Sequence, residues 1–98
     1  MKESGPKMYP QELVIDRLRD IIAATAGCDR AEIRIDTDLF QSGILESVML
    51  VKVVSQMEKA FHLRFPIQDF EQSNFSTLGR MAAMVEKTLA ASRTDAAV

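Results

Sequence analysis

Leu50, Val54, Met57 and Phe61 recur at i, i+4, i+7 and i+11, with Val53 beside them. That period fits one face of an α-helix and not a strand. A helix is therefore predicted from about Ser47 to Phe61, with Val48, Lys52, Ser55 and Lys59 on its other side. Valine is a weak helix former, so packing must hold this helix together. Pro66 then drives Phe65 out of helical backbone and closes the segment.

Two further segments keep a helical period. The first spans residues 10–27, "PQELVIDRLRDIIAATAG". Pro10 suits a first-turn position, Glu12 lies near the positive end of the helix dipole, and Gly27 is a good terminator. Val14, Leu18, Ile21, Ile22 and Thr25 form its expected buried face. The last helix begins near Thr77, with Ser76 or Thr77 as its cap and Leu78, Met81, Ala82, Val85 and Leu89 as its buried stripe. A short turn or one-turn helix is expected around Asp69–Gln72.

A long connection covers roughly residues 28–46. Ile33 and Ile35 alternate with polar residues in "RAEIRID", yet no second strand is at hand to pair with them. Ile33, Ile35, Leu39 and Phe40 are instead expected to plug the core from a loop, with Asp36, Thr37 or Asp38 capping a turn. The fold class that follows is all-α: a small four-helix bundle of three main helices and one short helix, with a long first loop. Residues 1–8 are expected to be a loose leader, 9–92 the folded domain and 93–98 a frayed tail.

Composition narrows the function. The chain has 98 residues, enough for one modest core. Net charge is −2 and no basic run appears, which argues against a nucleic-acid footprint. No apolar run approaches the length that spans a bilayer, and "MKESGPK" lacks a secretory apolar segment, so a cytoplasmic monomer is expected. With one histidine and one cysteine, no His/Cys metal cluster can form, and the four glycines are too scattered for a phosphate loop. His62 is expected at the surface near a helix end, and Cys28 as a passive loop thiol. A self-contained enzyme is therefore not expected.

Two serines remain, in "SGILESVMLV". Ser42 precedes Gly43 and reads as turn chemistry. Ser47 opens the second helix, where unpaired N–H groups and the dipole favour an anion. The bland alternative is that Ser47 only caps the helix.

The stretch "DLFQSGILESVMLVKVVSQMEKAFHLRFP", residues 38–66, resembles the acyl, peptidyl and D-alanyl carrier proteins. These carriers show an Asp-Ser-Leu or Asp-Ser-Met triplet at the start of their second helix. Glu46-Ser47-Val48 stands in its place here, followed by Phe61 and Phe65-Pro66 at the family's spacing. The order of "IQDFEQSNFSTL" and the last helix matches too, so the resemblance covers about residues 10–91.

The resemblance implies that Ser47 carries 4′-phosphopantetheine, transferred from coenzyme A by a phosphopantetheinyl transferase. The arm would hold an acyl or aminoacyl group as a thioester. A loading ligase or acyltransferase, and downstream synthase or modifying enzymes, are the further partners implied. Glu46, Val48, Val51, Lys52 and Ser55 are the expected docking residues. Lys52 and Lys59 on the outer face are unlike the acidic second helix of fatty-acid carriers. "SGILES" is closer to D-alanyl carriers and to freestanding polyketide or nonribosomal peptide carriers, which points to a specialised or secondary-metabolite pathway. Two alternatives stand beside this. One is an unmodified carrier-like module acting as a structural subunit. The other is an unrelated regulatory helical domain, whose second helix would start well away from Ser47.

Overall fold

The computed structural model describes residues 11–97, with side chains through Ala91. The expected leader, Pro10 and residue 98 lie outside the described residues. Helix α1 runs Gln11–Ala26 and buries Val14, Leu18, Ile22 and Ala23. Ile21 and Thr25 were expected inside but are only half-buried. The i, i+4 row through residues 14, 18 and 22 is the centre of the stripe, so positions 21 and 25 fall on its margins and Ala23 takes the inner place. Gly27 ends the helix at φ 75°, and its N–H donates to the Ala23 carbonyl at 2.8 Å.

The connection that follows contains no strand, only a 3-10 turn at Arg30–Glu32. Ile33, Leu39 and Leu45 are fully buried, and Phe40 is half-buried. Ile35 corrects the expectation, because it is 48% exposed. Its backbone carbonyl is what reaches inward, accepting from the Gly79 N–H at 3.3 Å. Arg19 Nε donates to the Ile33 carbonyl at 2.9 Å and ties the loop back to α1. Asp38 Oδ1 accepts from the N–H groups of Phe40 and Gln41, and Thr37 Oγ1 from that of Arg34.

A 3-10 turn at Ser47–Met49 leads into α2, Leu50–Phe61. Val53, Val54, Met57 and Phe61 are buried, Leu50 is half-buried, and Val48, Lys52, Ser55 and Lys59 face outward as the stripe demanded. His62 closes α2 in the left-handed region at φ 56°, with its N–H on the Glu58 carbonyl. The Glu58 carboxylate meanwhile accepts from the Phe65 N–H at 3.0 Å. Phe65 then stands edge-on to Phe75, ring centres 6.4 Å apart.

The expected short helix is resolved as two 3-10 turns, Ile67–Asp69 and Gln72–Phe75. Helix α3 spans Leu78–Ala97, capped by Thr77, whose Oγ1 accepts from the Arg80 N–H at 3.1 Å. Leu78, Met81, Ala82 and Val85 are buried, with Met84 joining them and Leu89 half-buried. The helical backbone continues past residue 93, where the tail was expected to begin. Helix α1 packs against both α2 and α3 and so organises the bundle. Among the described residues no helix is long and apolar enough to cross a membrane.

Cys28 follows the α1 stop and is half-buried. Burial pushes its thiol up, and the negative charges of Glu32 and Asp29 push the same way. The thiolate is the reactive form, so a raised pKa delays reactivity to higher pH. Alkylation by iodoacetamide is therefore expected to be slower than for a cysteine-containing peptide at neutral pH, with its pH–rate midpoint displaced upward; a midpoint at the peptide's value would contradict this. Removing the Phe61 ring from the core by Phe61→Ala should destabilise the fold by about 3–5 kcal/mol. Lys52→Ala on the outer face should cost no more than about 0.5 kcal/mol. Urea denaturation of both variants reads this facing of α2.

Candidate functional site

Ser47 is the first residue of the turn that opens α2. The position before it belongs to Glu46, whose backbone is extended at φ −116° and ψ 156° and whose carbonyl accepts from the Met49 N–H at 2.8 Å. The Ser47 carbonyl in turn accepts from the Leu50 N–H. Ser47 is thus already inside the helical segment, and the capping role considered for it is not the one it plays. Its hydroxyl turns the other way and donates to Gln72 Oε1 at 3.0 Å. The helical segment does begin at Ser47, unlike the displaced start expected of an unrelated regulatory domain.

The loop before the site fixes where the hydroxyl points. Gly43 adopts φ 84°, a left-handed conformation in which a side chain would be strained although nothing crowds the position. Ser42 supports this turn, donating to the Leu39 carbonyl at 3.3 Å and accepting from the Ile44 N–H at 3.4 Å. The Leu45 N–H then bonds the Leu39 carbonyl at 2.8 Å, and the Leu45 side chain enters the core. Leu45 is the peg: with it buried, Glu46, Ser47 and Val48 are left outside, all exposed.

The docking residues expected from the sequence fall on one continuous face. Val48 is 79% and Val51 72% exposed, and Lys52 and Ser55 follow at helical spacing on the outside of α2. Single exposed aliphatic side chains are ordinary, but here two stand one helical turn apart, next to Ser47. Glu46 supplies a negative charge at the start of this face and Lys52 a positive one further along.

Two residues were missed by sequence reasoning. Gln72 lies 25 positions from Ser47 and reaches it only because the second of the two 3-10 turns folds against the start of α2. Arg80, on the first turn of α3, shares with Gln72 a surface groove of about 730 Å³ whose walls include Asp38, Gln41 and Ser76. No local pattern marks either residue. An exposed, short-range-neutral glutamine in a loop carries no sequence signal of a partner that distant.

The arrangement is suited to an attached phosphodiester. The Ser47 hydroxyl is exposed, and among the described residues no carbonyl accepts from the N–H groups of Ser47 and Val48. Free N–H groups at the start of a helical segment favour a negative group there. Among the described residues there is no cluster of His, Cys, Asp and Glu able to hold a metal ion.

Comparison with known proteins points to one family. The family model described as "Phosphopantetheine attachment site" matches residues 16–85. The D-alanyl carrier protein of Lactococcus lactis subsp. lactis is 29% identical over 72 residues, covering 74% of this chain and 91% of its own length. That of Lacticaseibacillus casei is 28% identical over 76 residues, covering 78% of this chain and 94% of its own. That of Leuconostoc citreum is 29% identical over 82 residues, covering 84% and 99%. The cofactor of such carriers is covalently bound 4′-phosphopantetheine, and they work with a phosphopantetheinyl transferase and with ligases or transferases. The helical fold, the exposed start of α2 and the match across most of the chain lead to one conclusion: this protein belongs to the phosphopantetheine-binding carrier protein family.

Proposed function

We propose that Ser47 is the attachment point of the phosphopantetheine arm, and that the chain is a freestanding, non-catalytic carrier of an acyl or aminoacyl group. The observation that carries this is the Ser47 hydroxyl itself: exposed, at the first position of the helical segment, beside two N–H groups that no carbonyl among the described residues engages. In the transfer, Ser47 Oγ bonds to the pantetheine-bearing phosphorus of coenzyme A. The adenosine bisphosphate portion leaves, and the hydroxyl proton passes to a base of the transferase. The attached arm supplies a terminal thiol on which cargo is held as a thioester. The protein contributes a rigid anchor, and the Glu46, Val48, Val51, Lys52 and Ser55 face is where partner enzymes would dock. Val48 and Val51 give apolar contact, and the charges give orientation.

The relatives are named D-alanyl carrier proteins, so D-alanine is the first cargo to test. A polyketide or nonribosomal peptide pathway is the second reading. Lys52 and Lys59 on the outer face argue against a fatty-acid carrier, since they would oppose a purely basic partner, and they do not separate these two readings. In either case we infer a monomer working in the cytoplasm with a transferase, a loading ligase or acyltransferase, and a downstream enzyme.

Incubation with coenzyme A and a broad-specificity transferase, followed by intact mass, tests the attachment. One phosphopantetheine should be added to the wild type and none to Ser47→Ala. A folded wild-type chain that gains no mass beside a working control carrier would instead indicate an unmodified structural module. Offering the loaded carrier D-alanine with a D-alanine-activating ligase then separates the two cargo readings: formation of a D-alanyl thioester supports the first, and its absence with an active ligase removes it.

A further inference from the structure

The hydrogen bond from Ser47 Oγ to Gln72 Oε1 joins two exposed side chains at 3.0 Å. As a source of stability it is minor. Its chemistry is more informative. The proton in that bond is the one lost when the serine oxygen becomes an ester. The ester and phosphoryl oxygens that replace it can only accept. A glutamine held as before would then set oxygen against oxygen.

The carboxamide has a remedy built in. Its other end carries two N–H donors, and its terminal torsion is broad and roughly two-fold. A half turn of the amide exchanges acceptor for donor with no backbone movement. Gln72 and Arg80 both line the surface groove described above. Arg80 makes no ion pair with any described residue, while Asp38 in the same groove has Oδ1 engaged by two backbone N–H groups. A switchable donor and a cation with no ion pair among the described residues thus line one groove, and Gln72 links that groove to the serine oxygen.

We propose that Gln72 reads the modification state of Ser47, accepting from the free hydroxyl and donating, once turned over, to the attached phosphodiester, with Arg80 as the counter-charge in the adjoining groove. This rests on Ser47 being the attachment point. Gln72 is a positioning residue: it touches the linkage and makes or breaks no bond in it. Its effect is to hold the root of the arm against the turn Gln72–Phe75, which fixes the direction in which the arm leaves the domain.

The test compares unmodified and modified forms of the wild type, Gln72→Glu, Arg80→Met and, as a control, Gln56→Glu. Glutamate at position 72 keeps an acceptor for the hydroxyl but has no donor for the phosphodiester and adds a repelling charge. Gln56 is exposed on α2 and outside the groove, so its variant measures the effect of charge alone. Gln72→Glu should leave the melting temperature of the unmodified form close to wild type and lower that of the modified form by roughly 4 °C or more. Arg80→Met should shift the modified form in the same direction, and added salt should narrow the Gln72→Glu gap. Equal shifts in both forms of Gln72→Glu, no shift in either, or an equal loss in Gln56→Glu would overturn the proposal. Failure of the wild type to take up the arm at all would overturn the Ser47 assignment instead, so the two failures are distinct.

Discussion

Two backbone hydrogen bonds hold the long first loop to the start of α3, and the rest of the molecule depends on them. The Leu39 N–H bonds the Ser76 carbonyl at 2.7 Å, and the Gly79 N–H bonds the Ile35 carbonyl at 3.3 Å. Without them, residues 28–46 would keep only their internal turns and the Arg19 tie to α1, and would lose their hold on α3. With them, Leu39 and Leu45 are delivered as fully buried side chains and the loop becomes the fourth wall of the bundle. The same pair of bonds brings the two halves of the site together, since Ser47 follows directly from the loop and Gln72 precedes the segment to which the loop is pinned. The bundle and its site are in this sense one closure event.

The three helices were legible because each has an apolar stripe at a helical period, and a stripe of that kind has few other ways to be buried. The loop was half legible. Ile33, Leu39 and Phe40 pointed inward as hydrophobicity suggested, whereas Ile35 did not, because its position was decided by a carbonyl needed at Gly79. The region around residues 67–75 was marked as a turn but not as a pair of 3-10 turns, which depend on tertiary support more than on local preference. The start of α2 was found by its motif. What the motif hid was that Glu46 fills the cap position and frees the Ser47 side chain for a long-range partner. Sequence reasoning works on near neighbours, and a contact across 25 residues is the product of the fold.

The outer face of α2 has an electrostatic character of its own. Glu46 lies at the turn, Lys52 and Lys59 lie further along, and two exposed valines lie beside Ser47. The single change of sign from Glu46 to the two lysines would orient a partner on the proposed docking face, because a reversed partner would meet like charge. A uniformly acidic helix lacks that register. If this is the docking face as proposed, the exposed valines would give grip near the serine and the charges selectivity further out.

Cys28 carries the last consequence. It is the only cysteine in the chain, half-buried and flanked by Asp29 and Glu32, which help keep its thiol protonated. A carrier of thioesters lives with a permanent hazard, because any thiolate within reach can take the acyl group by exchange, and a protonated thiol attacks far more slowly. A chain whose own thiol is pushed toward the protonated form offers the arm's acyl group a slower competitor. Loss of cargo to Cys28, of the same chain or of a second copy, would then be slow beside exchange at the arm's own thiol.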